Sequence, residues 1–156
     1  LTDGKLYIDE KGNIIKCFNV KDGIALKLLR KEGIKTAFLS GGSKGNTLSR
    51  AENLKIDKCL VGIKNKKIAL KQIQKDLKIR PENTAYIGDD LNDIPVLNLV
   101  NLFIVPSDVS SAIKMSADLV LNRKGGDGAV REFIEELLKA RGVWDQYIKN
   151  GWFDKN

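Results

Sequence analysis

Short apolar runs alternate with amphipathic segments along the chain, and this pattern predicts an α/β fold. Apolar and polar residues alternate from Leu6 to Ile8 and again from Ile14 to Phe18, with Gly12 between the two runs. A period of two residues around a glycine turn is typical of a β-hairpin. From Asp22 to Gly33 the apolar period changes to that of an amphipathic helix.

The rest of the chain alternates buried strands with surface helices. Apolar runs predict strands at residues 34–39, 59–63, 84–87, 102–105 and 119–121. Helical periods predict helices at residues 46–53, 64–77, 91–100 and 107–115, and another after the glycine-rich residues 125–128. Elements in this order favour right-handed crossovers and a doubly wound parallel sheet, from which the hairpin protrudes.

The strand at residues 84–87 leads directly into an acidic segment. Gly88 permits a tight exit from the strand, and Asp89, Asp90 and Asp93 follow it. In open α/β sheets, ligand sites lie at the carboxyl ends of strands, so these carboxylates predict a site for a hard cation such as Mg²⁺. The alternative is structural, because the same side chains form turns and cap helices.

Small residues follow an earlier strand. The segment from Ser40 to Gly45 separates the strand at 34–39 from the helix at 46–53, and it offers hydroxyl and backbone N–H groups to an anion such as phosphate. A plain glycine connection is the alternative. The lysines that begin the helix at 64–77 oppose the helix dipole, which indicates either an anion site or side chains in solvent.

Size and hydropathy predict one domain that needs no membrane. The chain has 156 residues, of which 42% are apolar, enough for a core of its own. Apolar runs are too short to span a membrane, and the first residues lack the pattern of a signal peptide. We therefore predict a cytoplasmic protein with no membrane partner.

Residue usage limits the chemistry. The sequence contains no histidine, which excludes the usual base of serine and cysteine hydrolases and leaves carboxylates and lysine. Cys17 and Cys59 have no paired spacing and are predicted to be core thiols. The lysines behind the net charge of +7 are spread over predicted helix faces, so we interpret them as solvated surface and predict no nucleic-acid partner.

Aromatic residues are concentrated in the tail, residues 142–156. Such side chains either pack back on the same domain or anchor a second subunit. The second interpretation is slightly favoured, because the hairpin also needs a covering surface.

Several ordered motifs resemble the haloacid dehalogenase phosphatase superfamily. They are LTDG, the hairpin, FNVKDG, FLSGG, VGIKNKKIAL, YIGDDLND and RKGGDGAVREF. The resemblance spans Leu1 to about Arg141. Within the superfamily, the sequence is most similar to the small enzymes without a large cap domain, whose substrates are octulosonate 8-phosphates and nonulosonate 9-phosphates. The resemblance implies a phosphatase domain at residues 1–141, with the aromatic tail beyond it.

The resemblance implies four roles around one phosphate. The hydroxyl of Ser40 would hold the transferring phosphoryl group, and Lys66 would offset negative charge on phosphate and nucleophile. Asp89 would bind Mg²⁺, and Asp93 would support the metal shell or orient Lys66. Cations around the phosphoryl oxygens are what phosphoryl transfer requires.

Two features depart from the family pattern. The first motif has the form DxDGVLTDG, with a nucleophilic and an acid–base aspartate, whereas the sequence begins at LTDG. The expectation is therefore that the strand of the first motif, with both aspartates, lies upstream of Leu1. The second feature is Gly42, where related enzymes carry Arg or Glu beside the sugar.

Further residues are implied at the substrate and at subunit contacts. Lys21, Asp22, Gly41, Gly42 and Arg131 are the expected substrate-binding residues. The resemblance also implies that Gly125, Gly126 and Arg131 shape the rim of the site. The structural alternative is that Gly125 and Gly126 form a turn and Arg131 is a surface residue of its helix. The family assembles as homotetramers in which the hairpin forms a flap and the tail approaches a neighbouring site.

The expected function is Mg²⁺-dependent hydrolysis of a phosphorylated 2-keto-3-deoxy sugar acid, through an aspartyl-phosphate on a residue upstream of Leu1. The preferred substrate is 3-deoxy-D-manno-octulosonate 8-phosphate, and a nonulosonate 9-phosphate is the alternative. Two further alternatives are a non-catalytic oligomerising domain, related to those attached to CMP-sialate synthetases, and a module that binds acidic polymers.

Overall fold

A computed structural model describes residues 1–42 and 45–153 of the chain. Ser43 and Lys44 of the predicted phosphate loop, and Asp154 to Asn156 of the tail, lie outside the described residues. The strands are β1 Tyr7–Ile8, β2 Ile14–Ile15, β3 Ala37–Leu39, β4 Lys58–Leu60, β5 Ala85–Ile87, β6 Leu102–Val105 and β7 Leu119–Val120. The α-helices are α1 Val20–Lys31, α2 Asn46–Leu54, α3 Lys66–Leu77, α4 Ser111–Lys114, α5 Ala129–Ala140 and α6 Trp144–Asn150. Two 3-10 helices span Pro81–Asn83 and Leu91–Leu99.

The strands that carry the fold run parallel in two groups. β3 pairs with β4, and β6 lies between β5 and β7. Phe38 and Ile87 pack in one core cluster with α1 and α5. Leu39 and Tyr86 pack in the other cluster, with α3 and the second 3-10 helix. Helices therefore cover both faces of the strands, which confirms the predicted α/β class.

The described strands do not form one continuous sheet. Among the described residues β3 pairs only with β4 and β5 only with β6, so each has one unpaired edge. Both groups nevertheless share the same two helix layers. This arrangement leaves the carboxyl ends of β3 and β5 close to one pocket.

The hairpin forms as predicted but is shorter. Tyr7 lies opposite Ile15 and Ile8 opposite Ile14 in antiparallel register. Asp9 closes the turn, since its carboxylate accepts hydrogen bonds from the backbone N–H of Asn13 at 2.8 Å and of Lys11 at 2.9 Å. The apolar side chains of both strands are exposed to solvent, so the hairpin does protrude.

The tail packs on its own domain. Tyr147 is buried and its hydroxyl donates to Glu32, while Trp144 and Trp152 pack against the cluster formed by α1 and α5. For these aromatics the structure supports local packing over the subunit contact that we favoured. Ile148 and Phe153 remain exposed, at 70% and 82% of their surfaces.

Two local predictions were wrong. The predicted helix at residues 107–115 is only one turn, α4, because its first turn begins at the cap residue Ser110, whose hydroxyl accepts from the N–H of Ile113. The core-thiol prediction is wrong for Cys17, which is exposed because it follows the protruding hairpin strand, whereas Cys59 is partly buried and packs against the core. Within the described residues, each helix is too short or too polar to cross a membrane.

Candidate active site

A cavity of about 630 Å³ opens at the carboxyl ends of β3 and β5. Its wall brings together residues that are far apart in sequence, among them Ser40, Gly41, Gly42, Lys66 and Asp89. Parallel strands place their carboxyl ends on the same side of a sheet, which explains why these segments meet. The predicted phosphate and cation residues therefore share one pocket.

Ser40 continues the end of β3 into the pocket wall. Its N–H donates to the carbonyl of Leu60 at 2.9 Å, and its carbonyl accepts from the N–H of Ile63 at 3.1 Å. The hydroxyl accepts a hydrogen bond from the N–H of Gly42 at 3.2 Å. Hydrogen bonds therefore hold both the backbone N–H and the carbonyl of Ser40 in place, and this residue lines the cavity.

Lys66 is the first residue of α3, and the helix cap explains its position. Asn65 accepts from the N–H of Ile68 at 3.1 Å and ends the preceding loop. The Nζ of Lys66 then lies 2.6 Å from an Oδ1 of Asp93, with only 9% of its side chain exposed. Its neighbour Lys67 is exposed. Lys67 is therefore a solvated side chain, which was one of the two interpretations. Lys66 is not, because it is buried and Asp93 balances its charge.

Asp93 is a fully engaged acid with 1% of its side chain exposed. Besides Lys66, it accepts hydrogen bonds from the hydroxyl of Tyr86 and from the N–H groups of Asp89 and Asp90, at 3.1 and 3.3 Å. Burial and the adjacent charge of Asp93 raise the pKa of Tyr86, so its hydroxyl stays a donor. Asp93 thus orients Lys66 and also caps the helix, so one residue combines a chemical and a structural contact.

Gly88 allows the acidic loop to close this tightly. An added Cβ at Gly88 would lie 2.8 Å from the Cβ of Asp93. Because carbon atoms do not approach so closely, a side chain there would displace Asp93 from its partners.

Asp90 caps the 3-10 helix, with a carboxylate oxygen 2.7 Å from the N–H of Leu91. The capping interpretation is therefore correct for Asp90.

Asp89 contributes a carboxylate to the pocket wall. Burial, and then the charge of Asp93, raise the pKa of Asp89, while Lys66 acts in the opposite direction. Oxygen donors suit Mg²⁺ better than a softer metal. Across residues 1–42 and 45–153, however, no three acidic or thiol side chains are grouped closely enough to hold a metal ion by themselves. Asp89 fits one position in a cation's coordination shell.

Three expected substrate-binding residues do not line the pocket. Lys21 is exposed at the start of α1. Asp22 is fully buried, and its Oδ1 accepts from the N–H of Arg131 at 2.8 Å. The guanidinium of Arg131 contacts Glu135 and lies 5.3 Å from the ring of Trp144. Asp22 thus ties α1 to α5, and the guanidinium of Arg131 faces the tail instead of the pocket.

Two pocket residues were not predicted. Thr2 and Asn92 lie in the wall although the sequence predicted no binding role for them, whereas Lys64 is one of the lysines for which an anion site was one of two predictions. Asn92 is in the acidic motif and Thr2 in LTDG, so the signal was present in the motifs. Gly125 and Gly126 form a turn whose close neighbours are the backbone atoms of Thr2 and Asp3, as the structural alternative predicted.

Comparison with known proteins identifies the family. The model of the haloacid dehalogenase-like hydrolase family matches residues 6–101, more than half of the chain. The chain belongs to this family. It is 37% identical over 146 residues to the 3-deoxy-D-manno-octulosonate 8-phosphate phosphatase KdsC of Escherichia coli, a match that covers 94% of this chain and 78% of that protein. The predicted phosphatase class is therefore confirmed for this haloacid dehalogenase-like hydrolase.

Solved structures of the family agree with the fold. The cobalt-bound deoxy-D-mannose-octulosonate 8-phosphate phosphatase of Haemophilus influenzae superposes with a TM-score of 0.90 at 35% identity, covering 94% of this chain and 86% of that one. The 3-deoxy-D-manno-octulosonate 8-phosphate phosphatase of Moraxella catarrhalis, in complex with magnesium, phosphate and KDO, superposes with a TM-score of 0.92 at 33% identity. That match covers 97% of this chain and 87% of the Moraxella chain. Both relatives hold a divalent cation.

Proposed function

We propose that this hydrolase is a Mg²⁺-dependent phosphomonoesterase that hydrolyses 3-deoxy-D-manno-octulosonate 8-phosphate. The observation that carries the proposal is that Ser40, Lys66 and Asp89 line one and the same cavity. Relatives of known name act on this sugar acid phosphate, and the identity to the Escherichia coli enzyme extends over 94% of the chain.

The pocket residues have complementary tasks in phosphoryl transfer. The hydroxyl of Ser40 donates a hydrogen bond to a phosphoryl oxygen, and Lys66 balances the negative charge that accumulates on the phosphoryl oxygens. Asp93 holds Lys66 in place through the 2.6 Å ion pair, so the ammonium is positioned before substrate binds. Preorganised charges of this kind stabilise a transition state without reorganisation.

Asp89 is the proposed ligand of Mg²⁺. When bound, the ion would neutralise phosphoryl oxygens and orient the ester. The carboxylate oxygens of the pocket fit this ion, and among the described residues Asp89 is the ligand that we propose.

The nucleophile is proposed to lie on a parallel strand upstream of Leu1. Within the part of the chain that the structure describes, β3 and β5 each have an unpaired edge, and a strand inserted between them under the shared helix layers would pair with both. Thr2 lines the cavity, so residues immediately before it would enter the same site. An aspartate oxygen there would attack phosphorus, the sugar oxygen would leave with a proton from the second aspartate, and water would then hydrolyse the aspartyl-phosphate.

A nonulosonate 9-phosphate is the second candidate substrate. Gly42 is compatible with this second substrate, because this wall residue has no charged side chain that would distinguish one sugar from the other. Phosphate release from both esters by the full-length protein, with Mg²⁺ and with a chelator, separates the candidates. Release from neither ester would overturn the proposed function.

Asp89→Asn tests the cation site. We expect loss of about 10²- to 10³-fold in Mg²⁺-dependent kcat/KM, because one charged ligand is removed. Stability in urea should not fall, since the lost carboxylate is disfavoured in its charged form by burial and by Asp93. Asp145→Asn, an exposed acid in α6, is the control. Unchanged activity and unchanged Mg²⁺ dependence would contradict the assignment.

We also propose a cytoplasmic homotetramer in which the hairpin is covered by another subunit. Leu6, Ile8 and Ile15 are more than half exposed, an apolar patch that monomers seldom retain. Replacing Ile8 by Lys should lower the mass measured by light scattering, whereas Lys5→Gln on the same segment should not. A monomeric wild-type protein would contradict the proposal.

A further inference from the structure

Lys16 lies where the hairpin meets the pocket loop. Its Nζ is 3.5 Å from the hydroxyl of Thr47, a buried residue in the first turn of α2. The side chain of Asn46 donates to the carbonyl of Ile14 at 2.6 Å and fastens the hairpin to the same turn. One contact therefore positions the ammonium at the start of α2, and the other fastens the hairpin strand that precedes it to the same helix.

The missing side chain of Gly42 is what makes room for Lys16. A Cβ at Gly42 would lie 2.8 Å from the Nζ of Lys16 and 3.5 Å from the Oγ of Ser40. The ammonium therefore lies beside Gly42, a residue of the pocket wall, in space that a larger side chain at Gly42 would fill. Among the described residues Lys16 has no carboxylate partner, in contrast to Lys66, whose charge is balanced by Asp93.

We propose that Lys16 binds the carboxylate of the sugar acid and so determines specificity for acidic over neutral sugar phosphates. This inference rests on the proposed function. A substrate with a phosphate and a separate carboxylate needs two cationic contacts, and Lys66 is committed to the first through its ion pair with Asp93. Lys16 supplies the second from the hairpin, next to the serine that holds the phosphate.

The test compares two substrates and matched hairpin variants of the full-length protein. For Lys16→Met we expect KM for octulosonate 8-phosphate to rise roughly 10- to 100-fold, the loss typical of one hydrogen bond between charged groups. The kcat, and the KM for a hexose 6-phosphate without a carboxylate, should stay near wild type. Lys16→Arg should recover most of the affinity, and Lys11→Met, in the exposed hairpin turn, should behave as wild type.

Gly42→Ala is a second, independent variant. Its methyl group would displace the Nζ of Lys16, so we expect the same selective rise in KM. Combined with Lys16→Met it should add nothing further, because both changes remove one contact. Equal losses on both substrates, or fully additive effects, would overturn the proposal and leave Lys16 as a tie between the hairpin and α2.

Binding of the free sugar acid separates this inference from the proposed function. If wild-type protein hydrolyses neither ester, the proposed function fails, but calorimetry can still compare wild type with Lys16→Met. Weaker binding by Lys16→Met supports the carboxylate contact. Equal affinity of the two proteins for the sugar acid overturns it.

Discussion

Two buried aspartates of this protein have opposite surroundings. Asp93 beside the pocket accepts from Lys66, Tyr86 and two backbone N–H groups. Asp22, at the start of α1, accepts from the N–H of Arg131, but its Oδ2 has no hydrogen-bond partner within the part of the chain that the structure describes. The first acid is paired with a cation, whereas the second is buried with an unmatched oxygen.

The difference shows how burial alone misleads about function. Both acids belong to motifs of the family resemblance, and both are at most 1% exposed. Burial raises the pKa of Asp22 by more than the hydrogen bond from Arg131 lowers it. A buried acid positions charge for chemistry only when its partners balance it, and otherwise it reduces the free energy of unfolding.

Lys66→Met should have the largest effect. It removes the ammonium from the pocket, so we expect kcat/KM to fall about 10²- to 10³-fold. It also leaves Asp93 buried without a countercharge, which should lower the free energy of unfolding by about 3–5 kcal/mol. Phosphate release and urea unfolding measure the two effects.

Two further variants divide the role of Lys66 into its parts. Lys67→Met, one residue along the same helix and exposed, should change neither activity nor stability. The double variant Lys66→Met with Asp93→Asn should recover part of the stability but none of the activity, because it removes both charges. A double variant that is as active as wild type would show that the pair is structural.

Asp22→Asn should have a smaller effect of the opposite sign. At pH 7 we expect it to raise the free energy of unfolding by about 1 kcal/mol, because it removes a charge buried without full compensation. The folded pKa of Asp22 lies above its unfolded value, so wild-type stability is reduced above the folded pKa and recovers as pH falls towards 3.8. The difference between the two proteins should therefore shrink on acidification.

Urea unfolding at pH 7.5 and at pH 4 measures this difference, with Asp145→Asn as an exposed control. A stability gain that is the same at both pH values would contradict burial as its cause. Loss of hydrolysis without loss of stability would instead support the substrate contact that the family resemblance implied for Asp22.

The accuracy of the sequence predictions varied with the range of the interactions involved. β6 was predicted with its observed bounds because its apolar run is continuous and ends at Pro106. Strands β3 and β4 are shorter than predicted, because only residues 37–39 and 58–60 pair with each other. The length of helix α4 was overestimated, because a local helical pattern does not show which residue caps the helix and so where it begins.

Candidate residues followed the same rule. Ser40, Lys66, Asp89 and Asp93 share a pocket or its supporting network because they stand at strand ends or at the first turns of the following helices. Lys21 and Arg131 do not, because the direction of a helical side chain depends on the neighbouring element. Arg131 turns towards Glu135 and Trp144, contacts that its own sequence position does not specify.

The sequence by itself determined the α/β class and the order of elements up to α5, because these follow from local periods. Its motifs also carried the resemblance to the haloacid dehalogenase family, from which the roles of individual residues were expected. The tertiary structure decided which charges meet. The 2.6 Å pair between Lys66 and Asp93 joins residues 27 positions apart, and the approach of Lys16 to Gly42 depends on how the hairpin docks on α2. Such contacts arise only when packing brings separate elements together, which a linear pattern does not encode.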